Sequence, residues 1–303
     1  MVNVSNINYL KVFMDNTEFL LNDFYFMERN NSFKFLPQFY FDDDTLFHYT
    51  NEKNGSSIIN SKKLRFSNRI KSKDPVESLK IRSHTISFSY SDEETLEIDN
   101  KTEPVIQEVD EILNEMFNHT KQICFCKNDV ENKILGFLKP RMWNQYGDDY
   151  QGINLIFSKK KLLEEKLENM LFDDVIYSDY SKFNLDFGIN QNQILELGRE
   201  EFLNKYFEKI NYKLFLKHYD YKGENEYRMI IKSKNELEEI NIEKSLLGVL
   251  LSVKNFEEEK LKIELFENLC KLNNIDLKII YWKNDGVEIL PKNPYSDVHK
   301  IRL

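Results

Sequence analysis

Glu224-Asn225-Glu226-Tyr227-Arg228-Met229-Ile230-Ile231-Lys232 is the stretch on which the fold turns. From Glu226 to Lys232 it predicts a strand, with aromatic and β-branched residues set between charged ends. In strand geometry Glu224, Glu226 and Arg228 project on one face. Two crowded carboxylates raise one pKa, while Arg228 lowers it. Such a group can orient a ribose hydroxyl and stabilise a cationic sugar, because an oxocarbenium-like centre needs a nearby negative charge. Taken on spacing alone, a solvated salt-bridge ladder on an edge strand is the better reading.

Outward from this strand, Leu246–Val253 predicts an apolar strand. A helix at 255–273 has Leu261, Leu265 and Leu269 in register, and Leu277–Trp282 and Val287–Leu290 are the last strands. Upstream, 191–217 predicts one long helix with Leu203, Phe207, Ile210 and Leu214 on a stripe. Short strands are predicted at Asp174–Ser178, Gly152–Phe157 and Gln122–Cys126, with a helix at 159–171. A helix at 103–118 carries Pro104 in its first turn. Thr85–Tyr90 alternates as a strand, and Asp74-Pro75 marks a turn. Thr45–Thr50 is the first strand, broken by Asn51–Gly55, with a short helix at 56–60 and a strand at Leu64–Ser67 behind it. A helix at 8–29 precedes all of these. Strands drawn from the whole length, without βαβ alternation, predict an α+β fold with a mixed, largely antiparallel sheet. No linker divides the chain, so an N-terminal helical extension (1–40) and one domain (41–303) are expected.

The 23 Phe and 16 Tyr allow a core built largely from rings, a globular composition. A net charge of −9 leaves no basic footprint, so direct nucleic-acid binding is not indicated, and a basic protein partner suits the surface better. No basic n-region or apolar run of ~20 residues is present, which predicts a cytoplasmic protein without a membrane span. Cys124, Cys126 and Cys270 are an odd set, against a disulfide framework. A metal reading would join His119 to Cys124 and Cys126, but no second Cys pair exists to complete four ligands, so no metal is expected. Gly-x-Gly-x-x-Gly, P-loop, Gly-x-Ser-x-Gly and His-Glu-x-x-His motifs are missing.

Two other segments carry candidate chemistry. His48, in Leu46-Phe47-His48-Tyr49-Thr50, shares a strand face with Leu46 and Thr50 and can donate to a sugar hydroxyl. Trp143 and Tyr146, three apart, fall on one side of a helical turn beside Gly147-Asp148-Asp149 and Gly152. Two rings next to a flexible loop suit stacking on a planar base. The plainer readings are a satisfied histidine and an aromatic core anchor.

Taken in order, Leu46-Phe47-His48-Tyr49-Thr50, Asp74-Pro75-Val76-Glu77, Cys124-Phe125-Cys126, Met142-Trp143-x-x-Tyr146 with Gly152, and Glu224-x-Glu226-Tyr227-Arg228 resemble the bacterial domain of unknown function family 2971. That family is placed with the ADP-ribosyltransferase-like folds, and the resemblance runs over residues 44–253. It departs at Lys73, where the family has Asn, and at Cys126, where it has Ser. The resemblance implies a split β-sandwich holding NAD as a substrate. His48 matches the histidine that binds the adenosine ribose. Tyr146, or else Tyr177, matches the tyrosine that stacks on nicotinamide. Tyr49, Trp143 and Arg228 complete the cofactor-binding set. Glu226 matches the carboxylate that polarises the nicotinamide ribose, and Glu224 its partner in a Glu-x-Glu pair that helps the acceptor attack. The implied activity is NAD cleavage at the nicotinamide–ribose bond, with transfer to a macromolecular acceptor or to water, in a toxin or defence effector. The alternatives are a non-catalytic nucleotide- or protein-binding sensor in antiphage defence, and an interaction protein that docks through the helix at 191–217.

Overall fold

The computed structural model describes residues 44–72, 74–78, 84–86, 92–132, 134–179, 188–284 and 286–290. The predicted helix at 8–29, the extension at 1–40 and residues 87–90 lie outside the described residues.

Strand β1 (Thr45–Thr50) stands as predicted. The expected break at Asn51–Gly55 is instead a helix start: α1 spans Glu52–Ser61, capped by the Asn51 side chain, which accepts from the Asn54 N–H at 2.8 Å. Gly55 lies inside it close against Ile153, whose Cδ1 a Cβ would approach to 2.1 Å. Strands β2 (Lys63–Arg65) and β3 (Ser67–Asn68) follow. Asp74-Pro75 opens a short helix, α2 (Pro75–Ser78), with proline in the first helical position, where its missing N–H costs nothing. After β4 (His84–Ile86), helix α3 runs from Asp92 to His119, so Pro104 sits inside it rather than in its first turn. Next come β5 (Thr120–Lys127), α4 (Pro140–Gln145), β6 (Ile153–Ser158) and α5 (Lys159–Glu164), the last shorter than predicted.

Strands β7 (Leu171–Asp174), β8 (Ile176–Ser178) and β9 (Gly188–Asn190) precede the predicted long helix, which is two helices. These are α6 (Gln191–Leu197) and α7 (Arg199–Leu214), broken at Gly198 with φ 76°. That backbone conformation favours glycine and ends the helical hydrogen-bond ladder, which leucine periodicity cannot reveal. Then come β10 (Leu216–His218), β11 (Glu226–Lys232), β12 (Glu239–Asn241) and β13 (Leu246–Val253). Helix α8 (Lys260–Leu272), β14 (Leu277–Lys283) and β15 (Gly286–Leu290) complete the described chain. The fold is mixed α+β.

The described chain forms two compact units. In the first, built from residues up to Leu64, Phe125–Lys166 and from Glu239 on, the strand order is β15-β14-β13-β6-β1-β5. All neighbours are antiparallel except β13 and β14. Its core gathers Phe47, Tyr49, Trp143, Ile156, Leu250 and Ile280. Helix α8 packs against α1, β13 and β14. It turns Ile263, Phe266 and Cys270 inward and leaves Leu261 and Leu265 exposed, which corrects the predicted leucine face. The bulky residues at 263 and 266 compete for the same sheet, and a helix presents one stripe to it.

The second unit, Arg65–Cys124 with Leu167–Glu238, takes the first part of β5. There β11 neighbours β5, β7 pairs antiparallel with β11, and β10 pairs parallel with β8. Its apolar core packs α3, α6 and α7 through Val109, Leu113, Ile194, Tyr206 and Ile210.

Gly152 is a steric requirement of the first unit, not a flexible joint. A Cβ there would lie 2.2 Å from the Thr50 carbonyl oxygen and 2.9 Å from that of Gly147, and neither backbone atom yields easily. Gly152→Ala is expected to lower stability by about 1–3 kcal/mol, read from urea unfolding midpoints at unchanged m.

A buried charge cluster as the candidate functional site

Each residue singled out in the second unit falls in one cluster. Arg228 comes from β11 and is 0% exposed. Its guanidinium is paired on three sides. Nε donates to Glu226 Oε1 at 2.7 Å and Nη2 to Glu226 Oε2 at 3.0 Å, a bidentate pair. Nη2 also donates to Glu77 Oε1, from α2. Nη1 donates to the Leu214 carbonyl at 2.7 Å, which satisfies the C-terminal end of α7 with a cation. Arg69 donates to the same carbonyl at 3.2 Å and to the Glu77 carbonyl at 3.1 Å.

Lys217, on β10, forms the second half. Its Nζ donates to Glu224 Oε2 at 2.6 Å and to Glu226 Oε2 at 3.1 Å, and it stands 4.6 Å from the Tyr221 ring centroid. Glu224 is not on the strand. It ends a 3₁₀ turn, Tyr219–Glu224, and Asn225 turns left-handed (φ 47°) before β11 begins. The three acidic side chains meet through Lys217 and Arg228, not through strand alternation. Tyr177 presents its hydroxyl oxygen to the Glu226 N–H at 2.8 Å. The predicted solvated ladder is thus a dry network: Glu224 and Glu226 are 2% and 4% exposed.

Charge balance explains how it stays buried. Glu77, Glu224 and Glu226 face Arg69, Lys217 and Arg228, so each carboxylate has a cation. Burial alone would push Glu226 up, but Arg228 and Lys217 outweigh it and hold it below the usual carboxylate range. Glu77 is likewise pushed up by burial but held down to about 2 by Arg228, Lys217 and Arg69, with help from the Ser72 hydroxyl at 2.7 Å. Burial, then the charge of Glu226, raises Cys124 and Tyr177, so both stay protonated beside it. The arrangement fixes an ionised carboxylate in a low-dielectric setting and keeps proton donors next to it.

The residues singled out in the first unit behave differently. Tyr49 and Trp143 meet edge to face with centroids 5.0 Å apart, and Tyr146 packs on the same cluster. Trp143 is 0% exposed, and its Nε1–H donates to the Phe137 carbonyl at 2.8 Å. His48 points the opposite way along β1, its ring 5.8 Å from Phe125. Beside Trp143 the chain makes a left-handed turn, with φ of 53°, 50° and 66° at Asp148, Asp149 and Tyr150. Ser252 Oγ donates to the Tyr150 carbonyl at 2.6 Å and Lys254 Nζ to the Asp149 carbonyl at 2.8 Å. The expected flexible loop is a pinned one. Among the described residues no group of three or more His, Cys, Asp or Glu could hold a metal ion, and no helix is long and apolar enough to cross a membrane.

Sequence reasoning missed Lys217 and Arg69. Leu216-Lys217-His218 looks like the polar end of a helix, but α7 ends at Leu214 and these residues pair with β8 instead. Glu77 was quoted only within the resemblance to the family.

Arg228→Met is expected to cost about 3–5 kcal/mol, because it strands two buried carboxylates. Chemical unfolding measures it. Glu77 has a folded pKa below its unfolded value, so its contribution is present above pH ~4.3 and lost as the pH falls toward 2. Between about pH 5 and pH 2 the wild type should lose roughly 3 kcal/mol more than Glu77→Gln. A pH series of unfolding midpoints on both proteins checks the sign.

Residues 142–229 match the family described as Protein of unknown function (DUF2971). The matched segment contains Trp143, Tyr146, Tyr177, Glu224, Glu226 and Arg228 and omits His48 and Tyr49. No curated protein matches the chain.

Proposed function

We propose that this chain is an ADP-ribosyltransferase-type protein that cleaves NAD, with Glu226 as the carboxylate that orients the nicotinamide ribose. Breaking the nicotinamide–ribose bond releases nicotinamide and passes the ADP-ribosyl group to a macromolecule or to water. The reading rests on one observation: Glu226 is ionised in a dry, fully partnered cluster. A fixed negative charge that needs no reorganisation is what a cationic sugar centre requires. Glu224, tied to Glu226 through Lys217, takes the partner role in the Glu-x-Glu pair. Tyr177, hydrogen-bonded to the Glu226 backbone, is the ring of this unit nearest in the chain of contacts to that carboxylate.

A second reading has its own observation. Both Glu226 oxygens are engaged and the residue is 4% exposed, as suits a module that binds a nucleotide or a protein without turning it over. Incubating the purified protein with NAD separates the two. The enzyme reading expects nicotinamide release that falls by about 100-fold or more in Glu226→Gln, a variant that keeps the size of the side chain and one acceptor oxygen while removing its charge; circular dichroism matching the wild type verifies its fold. Release that is absent, or unchanged by that substitution, removes the enzyme reading. A thermal shift with NAD and no turnover supports the binding module.

A further inference from the structure

Helix α8 has a second apolar face that its own unit does not use. Leu261, Leu265 and Leu272 are 82%, 56% and 85% exposed. With Asn268 they follow a spacing of four, three and four residues, the seam of a two-helix coiled coil. The face is not a continuation of the core, because Ile263, Phe266 and Cys270 fill that side of the helix. Scattered exposed leucines are ordinary, whereas three in one register along a short helix form a stripe.

The charges beside the stripe select the occupant. Glu264 stands immediately before Leu265 and Lys271 immediately before Leu272. Glu264 is about half exposed and holds Lys260 only loosely, at 3.9 Å; Lys271 makes no ion pair among the described residues. We infer that this face pairs antiparallel with the same face of a second copy of the chain, forming a two-fold dimer. Antiparallel pairing sets Leu261 against Leu272 of the second copy and Leu265 against its Asn268. It also brings Glu264 beside Lys271 of the second copy, and symmetry repeats that contact. Parallel pairing would set Glu264 beside Leu269 of the second copy and leave both charges uncompensated. Three leucines per copy bury far less than the ~800 Å² per partner of a standard interface, so the dimer is weak, with a dissociation constant on the order of micromolar to hundreds of micromolar.

Sedimentation velocity of the full chain across the micromolar range tests this. The wild type should shift from monomer to dimer as concentration rises. Leu265→Glu should stay monomeric throughout; the position is exposed, and matching circular dichroism verifies its fold. Glu264→Lys should weaken the dimer roughly tenfold, the size of the two exposed ion pairs that symmetry removes together. The double variant Glu264→Lys with Lys271→Glu should restore it. A wild type that remains monomeric at the highest concentration overturns the inference, whether the face is bare or covered by another segment. So does a Leu265→Glu protein that dimerises like the wild type, or a double variant no tighter than Glu264→Lys alone.

Discussion

The guanidinium of Arg228 is the contact on which the second unit depends. It lies fully buried and joins three separate pieces of chain: its own strand through Glu226, the short helix after Pro75 through Glu77, and the end of α7 through the Leu214 carbonyl. A lone buried cation would be prohibitively costly. Here the cost is offset because the planar fork meets acceptors at fixed angles, which a lysine could not do. Lys217 performs the same service for the opposite side of Glu226 with a single ammonium. The cluster therefore holds together only as a set, and removal of one member leaves its partners buried and unpaired.

This interdependence bears on chemistry as much as on stability. A carboxylate kept ionised without water can act on a developing positive charge without first shedding a hydration shell. It is also a way to fix a turn, a strand end and a helix terminus to one another. The aromatic cluster of the first unit is plainer in its physics: Trp143 fills the core and satisfies its N–H on a backbone carbonyl, and the left-handed turn at Asp148–Tyr150 is pinned by Ser252 and Lys254. Three consecutive non-glycine residues in that conformation are strained, and the pinning contacts are what make the turn persist.

The strands were the most legible part of the sequence. Thr45–Thr50, Glu226–Lys232 and Leu246–Val253 have the predicted bounds, because β-branched and aromatic runs between polar ends have few other uses. Helices were legible in kind but not in extent. The stripe in 191–217 runs from Leu203 to Leu214, wholly beyond Gly198, so its periodicity carried no information about the break. In α8 two apolar stripes compete, and the leucine stripe was chosen over the one that carries Ile263 and Phe266. Of the candidate site, Glu224, Glu226 and Arg228 were legible as a charged group on one stretch of chain. Their burial was not, since a charge ladder in solvent and a neutralised core network are spelled with the same residues.

The sequence by itself determined the α+β class, the strand that carries Glu226 and Arg228, and the grouping of acidic and aromatic residues worth testing, because these follow from local propensity and side-chain alternation. Only the tertiary structure decided that Lys217, Glu77 and Arg69 complete the cluster and that His48 faces away from Tyr49 and Trp143. It likewise decided which stripe of α8 is buried. Those outcomes depend on partners far apart in the chain: Glu77 and Arg228 are 151 positions apart. A pairing over such a distance is chosen by charge balance and desolvation in the folded interior, and no local pattern encodes it.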